Sequence, residues 1–123
     1  MKKLLFIDDD AAYARKITRN IREKFPSIEP LVCQDPIQAL ALIDPSLDLL
    51  IIDLEMPKVD GKKLLTFAIA RGLDKRKIII LSGREAEYLH EVIPMGCCLC
   101  VLNKYESRQL EVLDMVLASI EKK

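Results

Sequence analysis

Apolar residues along this chain follow two rhythms. In five places they run with little or no polar alternation, at residues 3–7, 30–34, 49–52, 77–81 and 98–102. Continuous runs of this length read as strands buried on both faces, which a parallel sheet covered by helices on either side requires. Between the runs the spacing becomes helical. Ala14, Ile17, Ile21 and Phe25 share one face, with Asp10 placed as N-cap and Pro26 as the stop. Asp35-Pro36 opens a second helix with the stripe Ile37, Leu40, Ala41 and Ile43, ended by Asp44-Pro45. Leu64, Leu65, Ala68 and Ile69 mark a third over residues 62–71, with Gly72 at its C-terminal end. A weaker fourth covers residues 86–93 and closes at Pro94 and Gly96. Leu110, Leu113, Leu117 and Ile120, widened by Val116, define the last. Five strands alternating with five helices predict an α/β fold, a doubly wound parallel sheet with right-handed crossovers in three layers.

The strand patterns end in polar residues: Asp8-Asp9-Asp10, Asp53, Ser82-Gly83 and Asn103-Lys104. Parallel strands bring their C-terminal ends to one edge of the sheet, where ligands of open α/β proteins bind. After Asp53, Met56-Pro57 and Asp60-Gly61 punctuate a loop, because proline fixes its own φ and glycine permits positive φ. Several carboxylates at one edge cannot all ionise cheaply without a cation, and hard oxygen ligands suit magnesium.

At 123 residues, half of them apolar, the chain reads as one domain spanning residues 1–123 with a substantial core. Nineteen basic and nineteen acidic residues cancel, which removes the electrostatic case for a nucleic-acid or anionic-membrane partner. The N-terminal apolar run stops after four residues at Asp8, too short for an export signal or a membrane span. A cytoplasmic protein with reduced thiols is expected. Cys97, Cys98 and Cys100 crowd one run, but adjacent strand residues point to opposite faces, so small buried hydrophobes are expected rather than a metal-thiolate site. His90 is the single histidine, which excludes an internal phosphohistidine relay.

The pattern Asp53-x-x-Met56-Pro57-x-x-Asp60-Gly61, joined to Asp8-Asp9, Ser82 and Lys104 in order, closely resembles the receiver (CheY-like) domain of two-component response regulators. That resemblance implies a flavodoxin-like sheet in the order 2-1-3-4-5. It implies that Asp53 accepts a phosphoryl group from the phosphohistidine of a sensor histidine kinase or phosphotransfer protein. Mg2+ would be held by Asp8, Asp9, Asp53 and the backbone carbonyl of Glu55, with Asp8 acting mainly through ordered water. Lys104 would pair with one phosphoryl oxygen and the Ser82 hydroxyl with another, as a switch. The family reads the switch on the fourth helix, fifth strand and fifth helix, which here would present Arg84, Glu87, His90 and Glu91. The output would be a partner protein, or a fused domain if the chain is part of a longer regulator. Such a protein is a phosphoacceptor switch, not an enzyme with a separate substrate.

The chain departs from the family pattern in two places. The lysine is usually followed by proline, whereas here the run is Asn103-Lys104-Tyr105. Counting from Ser82 puts Lys104 in the lysine's place, and counting from Gly96 or back from Leu110 puts Asn103 there. A bulge near Gly96 would reconcile the two counts. The inward-turning aromatic of the fifth strand is replaced by Cys100 or Val101, and Tyr88 and Tyr105 read as partly exposed. Glu55 and Arg84, each two residues past a site residue, are expected to pair across the mouth of the site. Self-dephosphorylation is then slower than in Glu55→Ala or Arg84→Ala. Two other readings stay open: a phosphorylation-independent interaction module, and a haloacid-dehalogenase-like phosphohydrolase, whose second aspartate would here be Glu55.

Overall fold

The computed structural model describes the backbone of residues 1–123 and the side chains of all of them but Ala86. Five parallel strands form one sheet in the order β2-β1-β3-β4-β5: β1 Lys2–Ile7, β2 Ile28–Cys33, β3 Leu49–Asp53, β4 Ile78–Ser82 and β5 Cys100–Asn103. The connecting helices are α1 Ala11–Lys24, α2 Pro36–Ala39, α3 Gly61–Ala70 and α4 Ala86–Val92, and α5 Ser107–Lys122 follows β5. This is the expected fold and strand order.

Side-chain alternation divides the sheet between two cores. Leu5, Ile7, Leu50, Ile52, Ile78 and Ile80 face one side, where Ala39, Leu64, Ala68 and Leu89 cover them. Leu4, Phe6, Leu49, Ile51, Ile79 and Leu81 face the other, under Ile17 and Ile21 of α1 and Leu113 and Leu117 of α5. Every residue of β3 and β4 is buried, which is why both strands read as unbroken apolar runs.

Three elements differ from their sequence patterns. α2 is a single turn, and Ile37 and Ala41 of its expected stripe are exposed. The amides of Leu40, Ala41 and Leu42 bond three residues back, to Ile37, Gln38 and Ala39, and this tighter winding puts Pro36 and Ala39 on the buried face instead. β2 begins two residues early and carries Pro30, which an edge strand tolerates because its outward amide needs no partner. β5 starts at Cys100 rather than residue 98. Gly96 turns the chain at φ 90°, and the β4–β5 ladder then runs without a bulge from Ile79↔Cys100 to Ser82↔Asn103.

The loop after β3 is held against the sheet by close backbone approach. Asp60 caps α3 by accepting from the Lys62 amide, and a Cβ on Gly61 would lie 2.7 Å from the Asp53 carbonyl oxygen and from the Leu54 Cα. Only glycine lets the helix start there. Among the described residues no helix is long and apolar enough to cross a membrane.

Candidate functional site

The C-terminal ends of β1, β3, β4 and β5 lie side by side, and the strand order reverses between β1 and β3, where such folds bind ligands. Asp8 and Asp9 follow β1, Asp53 ends β3, Ser82 ends β4, and Lys104 follows β5. Asp8, Asp53, Ser82 and Lys104 are buried, while Asp9 is exposed at the mouth. Lys104 Nζ donates to Asp8 Oδ2 at 2.9 Å and stands 3.3 Å from Asp53 Oδ2. Asp8 Oδ1 accepts from the Asp10 amide, and Asp53 Oδ1 from the Glu55 amide at 3.3 Å.

Asp8, Asp9 and Asp53 each offer an oxygen within 4.8 Å of the others, and they are the one such metal-competent group among the described residues. Three carboxylates against one ammonium leave an uncompensated negative charge. Burial, then the neighbouring Asp8 charge, push the Asp53 carboxyl from an ordinary 3.8 up to about 7, although Lys104 pulls the other way. Burial opposes the Lys104 ammonium, but its hydrogen bond to Asp8 and the Asp53 charge outweigh that and raise its pKa. A hard divalent cation among these oxygens would relieve the repulsion, so the donor set fits Mg2+.

The structure brings Lys104, not Asn103, among the carboxylates. The Asn103 amide group instead donates to the Arg84 carbonyl at 3.1 Å and accepts from the Tyr105 amide. With Lys104 in the site, Val101 stands three residues before it, half-buried and without an aromatic ring.

The expected Glu55–Arg84 pair does not form. Glu55 Oε1 and Oε2 accept from the Ser82 hydroxyl at 2.8 and 2.7 Å, and Oε1 also accepts from the Gly83 amide at 2.9 Å. The Arg84 guanidinium lies 3.9 Å from the centroid of the Tyr88 ring. Two converging donors at the end of β4 give the carboxylate charge-assisted bonds, while the planar guanidinium stacks on an aromatic face, so each charge is satisfied apart. Ser82 Oγ also accepts from the Arg84 amide at 3.0 Å.

Tyr13 escaped the sequence reading. Its hydroxyl donates to the Lys104 carbonyl at 3.2 Å, and Lys104 Nζ lies 4.6 Å from its ring centroid. A tyrosine one turn beyond an acidic strand end was the available signal, but on an apolar helix face it reads as packing.

The residues foreseen for the output face are exposed, Arg84 just before α4 and Glu87, His90 and Glu91 along it. A groove of about 450 Å3 beside them is lined by Ile93, Val101, Asn103 and Gln109. The four cysteines are free thiols, and burial, then Cys100 and Cys97, push the Cys98 thiol up to about 11.

The chain is a doubly wound α/β protein with a carboxylate cluster and a lysine at the C-terminal edge of its sheet. The chain belongs to the response regulator receiver domain family of two-component systems, whose model matches residues 4–113. It is 37% identical over 89 residues to the transcriptional regulatory protein CpxR of Klebsiella pneumoniae subsp. pneumoniae, covering 71% of this chain and 36% of that protein. It is 31% identical over 126 residues to a protein-glutamate methylesterase/protein-glutamine glutaminase of Thiobacillus denitrificans, covering 98% of this chain and 35% of that protein. The chain thus spans about a third of the length of these curated relatives. The Francisella response regulator 1452 receiver domain superposes with a TM-score of 0.72 at 30% identity, over 99% of this chain and 98% of that one. The response regulator TrrA of Thermotoga maritima, solved with Mg2+ and BeF, shares the fold with a TM-score of 0.76 at 20% identity, over 95% and 99%.

Proposed function

We propose that this receiver domain is a phosphorylation-controlled switch in which Asp53 takes a phosphoryl group from the phosphohistidine of a sensor histidine kinase or phosphotransfer protein. The observation that carries this reading is the setting of Asp53. It is a buried carboxyl at a strand end, 3.3 Å from the Lys104 ammonium, with oxygens of Asp8 and Asp9 within 4.8 Å. A carboxylate is a weak nucleophile, so positioning and charge compensation carry the transfer. Asp53 supplies the attacking oxygen, the Glu55 amide orients the carboxylate, and Lys104 pairs with a phosphoryl oxygen. Asp9, Asp53 and the Glu55 backbone carbonyl would hold Mg2+, with Asp8 acting mainly through ordered water. When bound, the cation offsets carboxylate repulsion and neutralises charge on the transferring group.

Ser82 and Gly83 supply donors for a further phosphoryl oxygen, but Glu55 now occupies both. Phosphorylation therefore exchanges one acceptor for another and biases an existing equilibrium of the segment 82–85. α4 follows, and its exposed face is read by a partner protein or by an output domain of the same regulator.

Nitrogen-15 NMR tests this reading. Beryllofluoride, a phosphoryl analogue, added with Mg2+ should shift the amides of Ser82, Gly83, Arg84 and Asn103, and neither component should do so alone. A second reading, a phosphorylation-independent interaction module, draws on one observation: Glu55 already satisfies the donors of the switch segment. Unmoved amides under every condition would favour it.

A further inference from the structure

Lys104 lies one residue past the end of β5, in a turn. Its amide donates to the Ser82 carbonyl at 2.9 Å, which ties it to β4. Its carbonyl accepts from the Tyr13 hydroxyl at 3.2 Å, which ties it to α1 across the sheet edge. The ammonium lies 4.6 Å from the centroid of the same ring, within the range of cation–π attraction. One side chain thus meets Lys104 at its main chain and at its charge.

Tyr13 is itself firmly held. Its amide donates to the Asp10 carboxylate that caps α1, at 3.1 Å. Its ring packs edge-on against Phe6 at 6.4 Å and Tyr105 at 6.3 Å between centroids. The Tyr105 ring in turn rests on the switch segment, since a Cβ on Gly83 would lie 3.1 Å from Tyr105 Cε2. Burial, then the charges around it, Asp8 foremost, raise the Tyr13 phenol above its ordinary value, so its hydroxyl remains a donor at neutral pH.

We propose that Tyr13 is a positioning residue for Lys104, its hydroxyl fixing the lysine's carbonyl and its ring face steadying the ammonium for a phosphoryl oxygen. This rests on the phosphoacceptor reading. The physical need is specific. A phosphoryl group on Asp53 changes the charge that Lys104 now faces, and a flexible four-carbon side chain must then be redirected without losing its place. The ring contact does not depend on the state of Asp53, so it persists through that change.

Calorimetry with Mg2+ alone, and with beryllofluoride at saturating Mg2+, tests the proposal on wild type, Tyr13→Phe, Tyr13→Leu, Lys104→Met and Tyr13→Leu/Lys104→Met. Loss of the hydroxyl in Tyr13→Phe should weaken beryllofluoride binding about fivefold, and loss of hydroxyl and ring in Tyr13→Leu about thirtyfold. Mg2+ affinity should stay at the wild-type value, and Tyr13→Leu should add nothing in the Lys104→Met background. A purely structural tyrosine would weaken both ligands together, or act equally with and without Lys104, and either result overturns the proposal. So does wild-type beryllofluoride affinity in both single Tyr13 variants. Should Tyr13→Leu not fold, Tyr13→Phe decides alone: a selective fivefold loss supports the proposal, and no loss overturns it. If wild type itself binds no beryllofluoride with Mg2+, the phosphoacceptor reading fails first and the positioning role with it.

Discussion

Asp53 is a carboxyl that the fold keeps dry, and its raised pKa gives stability a definite pH dependence. Below about pH 4 it is protonated in both folded and unfolded chains and costs nothing. As pH rises to about 7 the unfolded chain releases the proton while the folded chain keeps it, so folding takes up a proton and stability falls. Above that the penalty is constant. Mg2+ that neutralises the cluster should therefore raise the melting temperature clearly at about pH 8 and little at about pH 5, where it must displace a proton. Equal stabilisation at both, measured by calorimetric melting, would contradict this account. Glu55 is the second residue with a measurable role. Glu55→Ala frees the Ser82 hydroxyl and the Gly83 amide, and beryllofluoride affinity at saturating Mg2+ should rise about tenfold. Arg84→Ala, which leaves those donors on Glu55, should not reproduce that gain. That Glu55 takes the end of β4 rather than Arg84 as its partner was not legible in the sequence, because no periodicity governs which partner a loop carboxylate chooses. Tyr13 was illegible for a related reason, since one side chain can fill a core and touch a site at once.

Among the elements, those that hold the site were the most legible. β3 and β4 are buried on both faces, so their composition alone marked them, and the residues ending them were read as the ligand edge. α2 and the start of β5 were not, because single-turn windings and a glycine at positive φ change the period locally. The loop from β3 to α3 makes its own prediction. Gly61→Ala would drive a methyl against the Asp53 carbonyl and the Leu54 backbone, both parts of the main chain that cannot step aside. It should cost about 2 kcal/mol in urea unfolding and weaken Mg2+ binding as Asp53 shifts. Wild-type stability in Gly61→Ala would show that the helix start is looser than the backbone distances imply.

On the scale of the whole molecule, two cores on opposite faces of one sheet hold the strand ends in register, and the carboxylate cluster sits where those ends meet. Residues 45 to 96 positions apart in sequence thereby come together: Asp53 45 from Asp8, and Lys104 96 from it. Alternating patterns predicted that convergence, because parallel topology leaves the strand ends nowhere else to go. Phosphoryl transfer at this edge would fall on Asp53. Intact mass after incubation with acetyl phosphate, with and without Mg2+, on wild type and Asp53→Asn, tests it most directly. A gain of one phosphoryl group is expected on wild type, requiring Mg2+ and absent in Asp53→Asn. No gain on wild type under either condition, or an equal gain on Asp53→Asn, would contradict it.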